Sequence, residues 1–326
     1  MSRFDGALRA AFGDARVVRD APLAPITTFK VGGPADWLVT LREAEEIRLA
    51  IWIAREHGLP VSLVGGGSNL LVADAGVRGL VIRVHGGDVR LVDDTAVRAD
   101  AGVTINGLVR WTVTRGIAGV EAWAGTPGTV GGAIFGNAHF QGRLISELIS
   151  EVALISRDGV PATVRAMDME FGYDYSRLHR TGEIVVSADF HARPGDPDVL
   201  RRTARESLAF RKATQPLEKA SAGCIFQNPD PARDCLPPGF PASAGALVDR
   251  AGLKGAAEGG ARVSARHANF IVNDGTATAA DVAKLIERCR REVHDRFGVE
   301  LRDEIVRLGS AASEPTPKGP HVDSQG

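Results

Sequence analysis

The sequence predicts an α+β protein built as two units, and three observations carry that expectation. Apolar runs of strand length alternate with stretches of helical period. Glycine-rich loops interrupt the first half of the chain. At 326 residues the chain is long enough for two or three domains, and its composition changes from about Ser221, which puts a boundary near residues 205–218. The expected division is an N-terminal extension over 1–20, a first domain over 21–205 with subdomains of about 21–95 and 96–205, and a C-terminal domain over 206–309. The remainder, 310–326, is polar and rich in Pro, Ser and Gly, and is expected to be a disordered tail.

Taken in order, Trp37-Leu38-Val39 reads as a short strand. Thr40 followed by Glu43 has the pattern of a capping box. Ile47, Ala50, Ile51 and Ala54 then recur at helical spacing, and Gly58 sits where that helix would end. Residues 61–64 are a second strand, so a βαβ unit delivers the chain into GGGSN. Residues 70–72 and 80–84 are further strands. Thr104, Ile105, Leu108 and Val109 open a helix that Gly116 closes. The segment AGTPGTVGGAIFGNA reads as a ligand-facing loop opening into a helix. Strands resume at 152–155 and 184–188, and 197–212 has the pattern of a charged helix. In the last unit Thr278 and Asp281 form another capping-box pattern. Val282, Leu285, Ile286, Cys289, Val293 and Phe297 make one apolar face, and Gly298 ends it. Cys289 is therefore read as a core residue.

Formal net charge is −1, and Lys and Arg are spread out rather than gathered into a stripe, which argues against a nucleic-acid partner. The N-terminus has no apolar core of signal-peptide length. No apolar run approaches the ~20 residues that a membrane span needs. The three cysteines lack CxxC spacing and make neither a disulfide framework nor a zinc site. A cytoplasmic monomer without a metal is the expectation.

Three glycine segments share one physical logic: Val31, Gly32 and Gly33; Gly65, Gly66 and Gly67 with Ser68, Asn69 and Leu70; and Gly125, Thr126, Pro127, Gly128 and Thr129 with Gly131, Gly132 and Ala133. Without a Cβ the backbone reaches positive φ and approaches a ligand closely, and successive N–H groups form a concavity suited to phosphate oxygens. Three tight turns are the alternative. Three segments in half a chain favour a large anionic ligand such as a dinucleotide, although the G-x-G-x-x-G fingerprint is absent from its strand–helix setting.

The blocks TTFKVGGPADWLV, VGGGSNLLVADAGVRGLVI, AGTPGTVGGAIFGNA, RKATQPLEKASAGCIFQNP, AGLKG, VSARHANFIVN and FGVELRDEIVRLG resemble, in order, the signature blocks of the UDP-N-acetylenolpyruvoylglucosamine reductases, also called UDP-N-acetylmuramate dehydrogenases. The resemblance runs from about Ile26 to Gly309. It implies a vanillyl-alcohol-oxidase-type FAD-binding domain of two subdomains, in agreement with the missing fingerprint, and a C-terminal α+β substrate-binding domain. It also implies NADPH as reductant and UDP-N-acetylglucosamine enolpyruvate as substrate in peptidoglycan precursor synthesis. The short link between Tyr173 and Gln215 lacks the tyrosine-bearing insertion of the family's longer form, so the chain resembles the shorter subtype.

The resemblance also assigns roles. Quenching a carbanion needs a proton donor on one face and charge stabilisation at the substrate carboxylate. The family's donor is usually a serine in SAGS-x-F, and here that position is Cys224, whose unperturbed pKa near ~8.5 leaves it able to donate. A buried inert cysteine is the alternative. Glu304 matches the catalytic glutamate. In FGYDYSRLHR, Tyr173 and Ser176 match the substrate-facing Tyr-Arg-x-Ser, but Asp174 replaces the arginine. Arg177 is expected to substitute for it, with Lys212 as a second candidate. Asn228 and His267 hold positions that face substrate in the family, although a structural histidine is an equal reading of His267. Gln227 replaces a lysine common in its block. A related FAD oxidoreductase with another substrate, or a non-catalytic nucleotide-sugar-binding homologue, are the competing functions.

Overall fold

Val77–Val84 is buried at nearly every position, as a central strand covered on both faces must be. In the computed structural model, which describes residues 2–309, it lies inside a four-stranded sheet. The order is Val17–Pro22, Pro34–Leu41, Val77–Val84, Val61–Val64; the first pair is antiparallel and the others parallel. The crossover helix Ala44–Glu56 lays Ile47, Ala50, Ile51, Ile53 and Ala54 on the sheet. The capping box expected at Thr40 and Glu43 does not form: the strand carries Thr40 in its ladder, and Glu43 is itself the N-cap residue, with no side-chain bond.

Residues 1–20 are not an extension. Ser2 caps the helix Arg3–Phe12, which buries Phe4, Leu8 and Phe12, and Val17–Pro22 is the edge strand of the sheet. The expected tail at 310–326 lies outside the described residues.

The second sheet is antiparallel, in the order Pro161–Arg165, Ile149–Ile155, Ile184–His191, Ala96–Asp100, Val89–Asp93. Thr104 caps the helix Ile105–Thr114 by accepting from Gly107 N–H. One apolar core runs from Phe4 to Leu200 through both sheets.

The boundary expected after residue 205 falls inside the 18-residue helix Pro197–Thr214. Its buried face holds this helix to the first domain: Ser207 Oγ donates to Ala122 O and Arg211 Nη2 to Thr126 Oγ1. The C-terminal unit therefore starts after Thr214. A three-stranded sheet, Ala257–Glu258, Ala261–Val263 and Ile271–Asn273, packs with the helices Ala244–Arg250 and Ala279–Phe297. The expected capping box of Thr278 and Asp281 is present, and Cys289 is buried on the helix's apolar face.

The two units interlock. Phe29, Val31 and Leu71 of the first unit are buried in the core of the second. The Asp74 carboxylate accepts from Ala279 N–H and Ala280 N–H at 2.8 and 2.9 Å. Beyond Glu304 the chain returns, and Val306–Leu308 pairs in parallel with Leu70–Val72. Among the described residues, no helix is long and apolar enough to cross a membrane.

Candidate active site

Two of the glycine loops meet. The GGGSN loop leaves the strand Val61–Val64, and the GTPGT loop leads into the short helix Val130–Phe135. A Cβ on Gly66 would stand 2.7 Å from Gly128 Cα, a separation that folded backbones do not tolerate. Gly67, at φ +65°, would drive a Cβ to 2.2 Å from Ile26 O. Glycine is required at both positions because backbone lies against backbone.

Together the loops wall one side of a cavity of about 410 Å³. Gly65 to Leu70, Thr126 to Thr129, Gly131, Gly132 and Ala133 all line it. Val31, Gly32, Gly33 and Gly125 do not. A Cβ on Gly32 would strike Val72, and one on Gly33 would reach 2.1 Å from Asp74 O. The VGG segment is thus close packing behind the cavity wall, the tight-turn reading of its glycines. Gly125 abuts Leu208 and Arg211 of the helix Pro197–Thr214.

The opposite side of the cavity carries ionisable side chains. Cys224 lies on an extended segment held by a bridge to Phe270 and by Ile225 N–H donating to Asn269 O at 2.8 Å. Burial pushes its thiol well above the usual range, and Glu304 and Asp174 add to the shift. The Glu304 carboxyl is likewise pushed well up, first by burial and then by Asp174. The thiol therefore keeps its proton near neutrality, and the carboxyl is shifted toward its protonated form. Glu304 is positioned from two sides: its N–H donates to Ile225 O at 2.8 Å, and its carbonyl accepts from Asn69 Nδ2 at 3.0 Å.

Asp174 points into the cavity rather than away from it. It sits at φ +51° in the turn closed by Gly172 and Tyr175, and its Oδ1 is 3.0 Å from His139 Nδ1.

Arg177 does not take the place of the missing arginine. Its guanidinium is clamped by Glu183 at 2.8 and 2.6 Å and by Asp168 O at 3.2 Å, and it does not line the cavity. The nearby Glu183 carboxylate captures it. Lys212 is exposed and also away from the cavity. Among the described residues, Arg211 is the only lysine or arginine that lines it. Arg211 lies 3.6 Å over the Phe140 ring and donates to Thr126 Oγ1 at 2.7 Å, and burial lowers its pKa to about 10.

The other expected substrate residues stand outside the cavity. Tyr173 Oη accepts from Asn228 Nδ2 at 3.3 Å, tying the two units together. Ser176 is fully buried, with Oγ donating to Phe135 O at 2.7 Å. His267 packs edge-on against Phe270, and its Nδ1 accepts from Asn269 N–H; burial lowers its pKa. Ser176 and His267 are supports here.

Arg211 and His139 belong to the site and escaped the sequence reading. Arg211 had a signal: with Leu200 and Ser207 it falls on one face of its helix, so it had to point inward. His139 had none beyond lying just after a glycine-rich block.

Comparisons with known proteins agree with this geometry. Residues 35–165 match the model of an FAD-binding domain, and residues 215–308 that of the UDP-N-acetylenolpyruvoylglucosamine reductase C-terminal domain. The second match begins just after the helix Pro197–Thr214. A UDP-N-acetylenolpyruvoylglucosamine reductase of Heliobacterium modesticaldum is 41% identical over 298 residues, covering 91% of this chain and 92% of its own. The UDP-N-acetylenolpyruvoylglucosamine reductase 2 of Symbiobacterium thermophilum is 40% identical over 95% of this chain and 98% of its own. Among solved structures, the UDP-N-acetylenolpyruvylglucosamine reductase of Thermus caldophilus superposes with a TM-score of 0.73 at 34% identity, covering 90% of this chain and 98% of that one.

Proposed function

This chain belongs to the UDP-N-acetylenolpyruvoylglucosamine reductase family, and we propose that Cys224 supplies the proton of the family's reaction while Glu304 and Arg211 set the charge around it. The activity is the FAD-dependent, NADPH-linked reduction of UDP-N-acetylglucosamine enolpyruvate in peptidoglycan synthesis. The fit to FAD is a matter of shape: a cavity lined by two glycine loops at positions where side chains would collide. The residues from Gly65 to Leu70 and from Thr126 to Ala133 would hold the cofactor. When bound, FAD supplies hydride, received from NADPH, for the enolpyruvyl methylene.

Hydride addition leaves an electron pair on the neighbouring carbon, spread into the substrate carboxylate, and that carbon needs a proton. A thiol held protonated by burial is a donor of the right kind. Arg211 then lies where it offsets the thiolate left behind, since its charge acts on Cys224. Glu304, its carboxyl shifted toward the protonated form by burial, donates a hydrogen bond to the enolate oxygen from that form. Tyr173 and Asn228, bonded across the two units, are assigned to the substrate approach. A monomeric cytoplasmic enzyme belongs to the same proposal.

The observation that carries this reading is the convergence of Cys224 and Glu304 on the cavity whose other wall is the pair of glycine loops. The purified protein should be yellow, bleach with NADPH, and regain its colour with UDP-N-acetylglucosamine enolpyruvate. Cys224→Ala should still bleach but recover colour about 10²- to 10⁴-fold more slowly, and Cys224→Ser should restore much of the rate. Recovery at the wild-type rate in Cys224→Ala would exclude the thiol. Asp174 favours a second reading, a related FAD oxidoreductase with another acceptor. Under that reading air would restore the colour faster than the sugar nucleotide does.

A further inference from the structure

His139, Asp174 and Glu304 present one ligand-type atom each, all within 4.8 Å of one another. They come from three separate segments. His139 opens the short hairpin that follows the helix Val130–Phe135, Asp174 sits in the turn at 172–175, and Glu304 precedes the returning strand. His139 approaches only one oxygen, Asp174 Oδ1. The Asp174 side chain is nine-tenths buried, and its Oδ2 has no hydrogen-bond partner among the described residues. A dry carboxylate oxygen without a donor is costly, and here the backbone also holds a positive φ at the same residue. The cavity's only lysine or arginine among the described residues, Arg211, is engaged by Thr126 and Phe140.

We propose that His139, Asp174 and Glu304 bind one divalent cation of the Mn²⁺ kind, Glu304 giving up its proton as it ligates, and that the cation then takes over from the Glu304 O–H in presenting positive charge to the substrate carboxylate. The second half of that statement rests on the reductase reading; the binding does not. Ligand bonds of about 2.0–2.2 Å place neighbouring ligand atoms roughly 3–4 Å apart; His139 Nδ1 and Asp174 Oδ1 are 3.0 Å apart and all three atoms lie within 4.8 Å. One imidazole and two carboxylates suit a first-row divalent ion, and three protein ligands leave coordination positions for water or for a substrate oxygen. Asp174 Oδ2 then has its partner. The cation also becomes a large local positive charge beside Asp174, the position where the family's arginine is replaced.

The test uses the FAD-loaded enzyme, treated with chelator, dialysed, and titrated with Mn²⁺ while the free ion is followed by electron paramagnetic resonance. One Mn²⁺ per chain is expected. Asp174→Asn and His139→Gln should each weaken binding by about 100-fold; the bound-flavin absorbance of each variant checks that it has folded. Adding Mn²⁺ back to the wild type should lower the KM for UDP-N-acetylglucosamine enolpyruvate and leave bleaching by NADPH unchanged. A wild type that bleaches normally but binds Mn²⁺ no more tightly than the two variants would overturn the site and leave the reductase reading intact. A wild type that binds one Mn²⁺ but does not bleach would overturn the reductase reading and keep the metal site.

Discussion

At one end of the cavity the wall is backbone. The loops at 65–70 and 126–133 approach so closely that Gly66 and Gly128 have no room for a Cβ. Elsewhere the wall is titratable side chains, Cys224, Glu304, Asp174, His139 and Arg211, of which Glu304 and Arg211 are bonded to the loops through Asn69 and Thr126. The first part offers a fixed backbone shape, which does not change with pH. The second is a set of groups whose protonation depends on one another and on burial. The same cavity thus joins a rigid, nearly charge-neutral cradle to an end where protons and charge are managed. A change at the first end should act on occupancy, and a change at the second on rate and pH dependence.

The largest effect should follow from intruding on the cradle. Gly66→Ala puts a methyl group against Gly128 Cα and should weaken FAD retention by about 100-fold, roughly 2.7 kcal/mol, as read by flavin released on ultrafiltration. Equal retention would mean that the two loops do not act as one surface.

Next come the two arginines. Arg211→Met removes the positive charge that lines the cavity and should slow substrate-dependent recovery of flavin colour by about 30-fold, or ~2 kcal/mol. Arg177→Ala should change that rate by less than about 3-fold, because its charge is already satisfied by Glu183, and cost about 1 kcal/mol in stability. The reverse order in stopped-flow rates would return Arg177 to the site.

The last effect is read in stability alone, not in rate. The Glu304 carboxyl titrates higher in the folded chain than in the unfolded one, so the folded state keeps a proton that the unfolded state releases. Its contribution is full below the unfolded pKa of about 4.3 and declines as pH rises toward the folded value. Metal-free protein should lose up to about 1.4 kcal/mol per pH unit in that window. Glu304→Gln should flatten the slope, as seen by urea unfolding at pH 5, 6 and 7. Parallel curves for the two proteins would contradict a protonated Glu304.

The same contrast explains what could be read in advance. The cradle is written locally, because a close backbone approach requires glycine at fixed places in one short run, and GGGSN and GTPGTVGGA declare themselves. Helices with a clear apolar face were equally legible, as with 279–297 and its cap at Thr278. The VGG segment misled because glycine serves tight packing as readily as it serves a ligand, and only the neighbouring Val72 and Asp74 tell the two apart. The charged end depends on segments that meet only in three dimensions. Nothing in the spacing near Arg177 discloses that Glu183 captures it, and nothing near His139 discloses its contact with Asp174. Arg211 was recoverable from its place beside Ser207 on one helical face. The N-terminal helix and edge strand were missed because short elements owe their order to the sheet they complete.

The peptide of Glu304 is riveted to both halves of the molecule. Its N–H is bonded to Ile225 O, next to the thiol, and its carbonyl to the side chain of Asn69 in the glycine loop. Although the residue lies far along the polypeptide, it is mechanically mounted on the flavin cradle. Any tilting of the later unit would leave the spacing between acid and cradle almost unaltered, and would spend its travel on the route by which the sugar nucleotide comes and goes.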